Sequence, residues 1–458
     1  MRGLAFFLAF LSSVPFILFV SPFYGVLAWY VFSLGNFHTM TWGFLSNLYY
    51  AWIIAILTCI SWLCSRTDPK RLPLTPLVVL TLLFVLWMTI TSLFALEPND
   101  DVWREWTRDN KVLFMCLVGY ALTTSRERVN QLIWVVLLTI GVWGVKGAIR
   151  GSLGGFHMIH GPDGGMNANN NEFGVSLIMI LPLVFYQWQL ATNRHLRRGL
   201  MVMGFLVGVA VILTYSRGAL LGVSAMAAVL WLKSRAKIPA AFLILAVAVV
   251  VYSFAPGRWF DRMNTIENYQ GESSAESRLA MWQVCLKIAE AHPLLGGGFW
   301  VTHSPDATNS VLVHTDLPRM TSGMATHSIY FDVLSEHGWV GLALFLMIGA
   351  YSWLNCSWLI RRSRDRPELA WANLLGKMGQ AVLVGFWVGG AFQSLAYFDE
   401  YWCLLFVFDA ARRVVAKEIA GPVGVFVPPT LLRAPPLGIG AAALARPEEQ
   451  SGYGKRRL

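Results

Sequence analysis

Charge is what this sequence has least of. Only 14% of its 458 residues are Asp, Glu, Lys or Arg, against roughly a quarter in soluble domains. With 56% hydrophobic residues and a mean hydropathy of +0.53, that scarcity excludes an ordinary water-soluble domain. Cysteine is sparse too. Cys59, Cys64, Cys116, Cys356 and Cys403 lie in or beside apolar runs, Cys285 falls in a long polar stretch, and no CxxC pair occurs, so neither a disulfide framework nor a cysteine metal site is expected. The chain lacks HExxH or any comparable His/carboxylate spacing, and it lacks a Walker A loop and a dinucleotide fingerprint. No metal and no other cofactor is expected, and ATP and nucleotide sugars are disfavoured as energy sources. The N-terminus, MRGLAFFLAFLSSVPFILFV, starts like a signal peptide but has no A-x-A-like cleavage site and runs on into further apolar segments, so it reads as a retained first helix.

What the sequence has instead is a series of apolar runs of roughly 15–22 residues, the length that crosses a bilayer as helix. The expected fold class is an all-α polytopic membrane protein. Its formal charge of +10 sits mostly in short loops, which points to membrane topology and membrane lipids, not to nucleic acid. The connections alternate. Residues 65–73, 124–130, 192–198, 233–237 and 361–366 are basic; 96–110 and 396–401 are acidic; 150–172 is long and nearly uncharged; the connection at Ser216 is very short. Basic loops stay cytoplasmic. The pattern predicts spans at roughly 74–95, 108–123, 131–149, 173–191, 199–214, 218–232, 239–254, 338–359, 374–394 and 400–413. If residues 1–64 add two, there are about 12 transmembrane helices and both termini are cytoplasmic. Residues 4–34, with Pro15 and Pro22, read as a broken helix or a re-entrant pair. Residues 1–415 then form one transmembrane unit with a large extracytoplasmic loop at about 255–337 that contains short helices, and 416–458 form a cytoplasmic tail, rich in Pro, Gly and Ala, without fixed structure.

The outward face collects polar residues. Arg150 sits at the outer end of one span, and Asn167, Asn169, Asn170, Asn171 and Glu172 precede the next. Helix capping accounts for asparagines there; a run of them also suits binding of hydroxyls or phosphate. Arg217, in TYSRGALLG, is an outward cation against the positive-inside bias, explained by snorkelling from a tight turn or by function. Arg278, in ESRLAMW, begins a helical pattern and has Glu276 and Glu272 as possible ion-pair partners. Arginine offers phosphate a planar fork of donors that stays charged. Such residues at a membrane surface could hold a lipid-borne diphosphate and stabilise it as a leaving group. His327 and His337 lie ten residues apart in ATHSIYFDVLSEHGWVGL, beside Asp332 and Glu336. A neutral histidine can take a proton from a hydroxyl. His337 could as readily cap a helix or meet a carboxylate, and His157, His160, His303 and His314 are also outside.

These stretches resemble the O-antigen ligase superfamily of bacterial envelope glycosyltransferases, which includes O-antigen polymerases and O-linked protein glycosylation ligases. The carriers are TYSRGALLG around Arg217, ESRLAMW around Arg278, HPLLGGGFW at 292–300 and THSIYFDVLSEHGWVGL from Thr326. In the last motif Ser328 replaces the usual Asn, and His337 stands where Thr is common. TWGF at 41–44, DNKVLF at 109–114, VKGAIRGSLGG at 145–155 and NNNEF at 169–173 are similar to an exosortase-associated O-glycosylation ligase subgroup. The resemblance covers about residues 1–415.

It implies an undecaprenyl-diphosphate-dependent oligosaccharide transferase of the bacterial inner membrane, acting on the periplasmic face in lipopolysaccharide or related envelope biosynthesis. A glycan on undecaprenyl diphosphate would pass in one inverting, metal-independent step to an acceptor hydroxyl, in the ligase proper a lipid A–core sugar. His327 would be the general base. Arg217 and Arg278, with Arg150 by the subgroup resemblance alone, would contact the diphosphate. His337, Asn169, Asn170 and Asn171 would be candidate acceptor or donor contacts. A protein glycosylation ligase or a polymerase remains open, since the motifs do not separate them. A lipid-linked oligosaccharide flippase is the non-enzymatic reading; it would need polar residues through the spans and gating on both sides, whereas here the polar residues cluster outside.

Overall fold

The computed structural model describes residues 2–421 except 42–44, 47, 235, 255–256, 258–259, 261–272 and 314; residues 422–458 also lie outside the described residues. Among the described residues the chain is helical, with no strand. Its principal helices are α1 (Arg2–Pro15), α2 (Pro22–Gly35), α3 (Tyr50–Cys64), α4 (Pro76–Leu93), α5 (Asp100–Leu122), α6 (Arg126–Leu153), α7 (Asn170–Leu190), α8 (Arg194–Leu213), α9 (Arg217–Lys233), α10 (Lys237–Phe254), α11 (Ser273–Ala291), α12 (Pro305–Leu312), α13 (Ile329–Arg362), α14 (Ala370–Gly390) and α15 (Asp399–Ala420).

Local chemistry sets the boundaries. Asn99, Ser125, Asn193, Ser216 and Ser304 cap helix starts by accepting from backbone N–H groups two or three residues on. Proline opens α2, α4 and α12, where a missing N–H costs nothing. The helices α4, α6, α7, α8 and α13 are long and apolar enough to cross a membrane. Each of the ten spans expected after residue 73 corresponds to a helix. α15 runs to Ala420 and so takes in residues 416–420 of the expected 416–458 tail; residues 422–458 of that tail lie outside the described residues.

The N-terminal region departs from the expectation of two spans. Pro15 removes a backbone donor, and the helix continues as a π-helical turn over Phe16–Val20. Ser61 Oγ donates to the Ile17 carbonyl within that turn, at 2.5 Å. The chain reverses at Ser21, and Phe10 meets both Phe32 and Tyr50. Phe6 stacks on Phe37 just beyond α2. So α1, α2 and α3 make three antiparallel passes.

One end of the bundle is basic, carrying Arg126, Arg128, Arg361, Arg362 and Lys417. Buried polar links clamp it: Asp409 accepts from Thr75 Oγ1 (2.7 Å), Tyr120 OH (2.6 Å) and Asn355 Nδ2 (2.8 Å), while Arg413 Nη2 donates to the Thr123 carbonyl (2.7 Å). The other end carries the residues singled out above. What positions them is the packing of α14 on α7, α9 and α13. Gly218 and Gly222 of α9 face Gly389 and Gly385 of α14 so closely that a methyl at Gly222 would sit 2.8 Å from the Gly385 carbonyl oxygen. This is small-residue packing at four-residue spacing on both helices, and it fixes the start of α9 against the end of α14.

Candidate active site

Two sequence motifs dock on each other to build the site. The glycine-rich 292–300 segment lies along the end of the first turns of α13: Gly297 N donates to Ser335 O (2.7 Å), Gly298 N to Glu336 O (2.9 Å) and Trp339 N to Pro293 O (2.9 Å). At Gly338, φ is 65° and α13 kinks. A Cβ there would lie 2.3 Å from the Leu294 carbonyl oxygen, so the close approach requires glycine. Glu336 completes the dock, accepting from Trp300 N (3.1 Å) and Tyr397 OH (2.7 Å). Trp300 in turn stacks on His303 at 3.8 Å.

His327 sits just ahead of α13, half-buried, in the left-handed region at φ 49°. A non-glycine residue held there stores strain, which collects at functional sites. Its backbone N–H donates to Ser394 Oγ (3.1 Å) in the α14–α15 turn. Thr326 Oγ1 donates to the Asp332 carboxylate, and Ser394 Oγ donates to the same carboxylate at 3.3 Å. Trp282 Nε1 of α11 holds the Thr326 carbonyl at 2.9 Å, and its ring stacks on Phe331. Asp332 thus fixes the backbone around His327 and does not touch the imidazole.

The imidazole itself is kept neutral. Burial, then the positive charge of Arg278, then His303, lower its pKa from 6.5 to about 4. Its Nδ1 is buried without a hydrogen-bond partner, so one ring nitrogen has no protein commitment.

Arg278, early in α11, lies within electrostatic reach of both His327 and Glu172. Glu172 is buried at the start of α7, and its Oε2 has no partner. Arg217 is half-buried as the first residue of α9, immediately before Gly218, whose surroundings include Gln393, the neighbour of Ser394. The starts of α7 and α9 adjoin: Asn170 Nδ2 donates to the Thr214 carbonyl (2.8 Å), and Gly174 faces Ala219. Two helix N-termini, each a partial positive pole, therefore converge near the two arginines.

The remaining expected residues separate. Arg150 is exposed on the last turn of α6. Asn169 is the exposed N-cap of α7 and bonds Glu172; Asn170 is buried as the tether to Thr214; Asn171 accepts weakly from Asn170 at 3.5 Å. His337, expected as a possible acceptor or donor contact, packs inside the fold. It is fully buried, its Nδ1 lies 2.7 Å from Thr91 Oγ1, and Phe84, Phe299 and Tyr397 box its ring. It holds the kink in place. Ser394 and Tyr397 are the site residues that sequence reasoning did not single out; their partners His327 and Glu336 lie 67 and 61 residues away in sequence, so no spacing reveals them.

Fold and site together define a multi-pass helical membrane protein with a cluster of polar and cationic residues at one end of its bundle. Residues 202–346, which hold Arg217, Arg278, His327 and both docked motifs, match the family model described as O-antigen ligase. The match places residues 202–346 in the O-antigen ligase superfamily, a family of glycosyltransferase-type enzymes acting on lipid-linked glycan and acceptor substrates. Residues 1–192 match a family of unknown function (DUF5935). No curated protein matches the chain.

Proposed function

We propose that the protein moves a glycan from undecaprenyl diphosphate to an acceptor hydroxyl, that of a lipid A–core sugar, on the periplasmic face of the bacterial inner membrane. The observation that carries this reading is His327: a strained, half-buried histidine, kept neutral, with an uncommitted ring nitrogen beside Arg278. A neutral imidazole can accept a proton; a protonated one cannot.

In the proposed step His327 takes the proton from the acceptor hydroxyl as its oxygen attacks the anomeric carbon of the donor sugar. The bond from that carbon to the diphosphate oxygen breaks on the opposite face, which inverts the centre. The diphosphate leaves with the bonding electrons, and Arg217, Arg278 and the starts of α7 and α9 stabilise its growing charge. The proton on His327 then passes to water. Arg150 contributes at most a peripheral phosphate contact from its exposed position. The basic loop residues at the other end of the bundle support a cytoplasmic assignment for that end.

The test is transfer by the purified chain in liposomes, with lipid-diphosphate-linked glycan as donor, deacylated core oligosaccharide as acceptor, EDTA present and nucleotides absent. Product is expected, at undiminished rate. An absolute need for nucleotide or metal would refute the proposed step.

A further inference from the structure

A second cavity, of about 480 Å³, opens at the same end of the bundle. Of its lining residues only Asp399 lies outside the 1–192 segment that matches the family of unknown function. Its mouth lies at the head of α3, where Tyr49 is 77% and Trp52 46% exposed. Polar groups line the same space: Asn36, His38, Arg108, Asn167 and Asp399.

The lining carries little net charge to offer. Arg108 is matched by two carboxylates, with an ion pair to Glu105 and Nε 2.8 Å from Asp109 Oδ1. Asp399 accepts from Ser33 Oγ at 2.6 Å and from Glu400 N at 3.1 Å. Burial lowers the pKa of His38 from its ordinary value, which favours the neutral ring at pH 7. Arg108 therefore has little charge to spare, and Lys111 Nζ lies 5.3 Å from the centre of the Trp52 ring at the mouth. A ligand with both apolar faces and many hydroxyls would find exposed rings for the first and amide, carboxylate and imidazole groups for the second. Asn167 links this cavity to the transfer site. It lines the cavity and donates to Ser176 Oγ (3.4 Å), which donates to Glu400 (2.5 Å), and it precedes Glu172 by five residues.

We infer that this cavity is a saccharide-binding cleft that seats the acceptor glycan, with Tyr49 and Trp52 as stacking platforms and Asn36, Asn167 and Asp399 as hydroxyl partners. Its role as the acceptor's seat rests on the transfer reaction proposed above; its binding of sugar does not. The cleft and Arg278 meet different ends of the 164–172 segment: Gly164, Gly165, Met166 and Asn167 line the cleft, and Glu172 lies within electrostatic reach of Arg278. The segment of unknown function then supplies acceptor recognition, and the ligase segment supplies the chemistry.

The experiment pairs binding with kinetics. Fluorescently labelled, deacylated lipopolysaccharide core oligosaccharide is titrated into the wild-type chain, His327→Ala and the double variant Tyr49→Ala/Trp52→Ala, all in nanodiscs. Saturable binding is expected for the first two alike, with a Kd raised at least about tenfold in the third and recovered by Tyr49→Phe/Trp52→Phe. In transfer assays the double variant raises the acceptor KM by a similar factor and leaves kcat and the donor KM unchanged. Absence of saturable binding by the wild-type chain, or equal binding by the double variant, overturns the cleft. A rise confined to the donor KM overturns the acceptor assignment. If the wild-type chain binds the oligosaccharide through these rings but transfers nothing, the cleft stands and the transfer reading falls.

Discussion

His327 combines three properties that separate it from the other histidines outside the spans: a left-handed backbone, a ring nitrogen without a partner, and a pKa lowered to about 4. The sign of the shift has a direct consequence. Protonation disables a base, so activity should fall only as pH drops through about 4, whereas an ordinary histidine would lose it through about 6.5. A kcat/KM profile of the free enzyme flat from pH 5 to 7 supports this; an acid limb centred near 6.5 contradicts it. The folded state also binds fewer protons than the unfolded chain between those two values, so this group's contribution to stability is lost as pH falls across the same window. The arginines make a second prediction. Arg217→Lys keeps charge but loses the fork, and Arg278→Ala loses both. Each should slow transfer roughly a hundredfold, the cost of one preorganised contact of about 3 kcal/mol. Turnover measured at matched protein level decides it, and wild-type rates in both variants would remove the arginines from the mechanism.

At the scale of elements, the contact between α9 and α14 sets the distance between Arg217 and the Ser394–His327 link. Gly222 touches Gly385, Gly389 and Ile178 with no room for a side chain. Gly222→Leu should therefore push the two helices apart, cost about 1–3 kcal/mol, and reduce transfer along with the melting temperature. An unchanged melting temperature would show that the helices are not held this closely. The helices from α4 to α10 and from α13 to α15 were legible in the sequence, because each apolar run is bounded by a charged or Asn-rich loop and capping residues mark many of the starts. The hairpin of α1 and α2 was legible only as a broken helix or a re-entrant pair, from Pro15 and Pro22. No charged residue separates the two between positions 4 and 34, and the break is made by Pro15, Ser21 and Pro22. Charge alternation carries no signal there. The site was legible as far as its motifs reach, at Arg217, Arg278 and His327. The roles of Ser394, of Trp300 on Glu336 and of the buried His337 come from contacts between distant segments, which periodicity cannot encode.

For the whole molecule, the two ends of the bundle make different demands on topology. The basic end has its charges in short loops, and the site end has the long 255–337 segment and the dock. A reporter active only in the periplasm should be active when fused after residue 300 and silent when fused after residue 365. The opposite pattern would put the site on the wrong face for a flipped lipid-linked donor. The central claim, that this chain alone transfers a glycan with His327 as the base, is tested most directly by single-turnover transfer in proteoliposomes loaded with lipid-diphosphate-linked glycan and acceptor. Wild type, His327→Ala and His337→Ala are compared at equal folded protein. The account predicts a rate at least about a hundredfold lower for His327→Ala with donor binding retained, and partial activity for His337→Ala, whose deficit follows its lost stability. Wild-type turnover by His327→Ala, or a dead but fully stable His337→Ala, would contradict it.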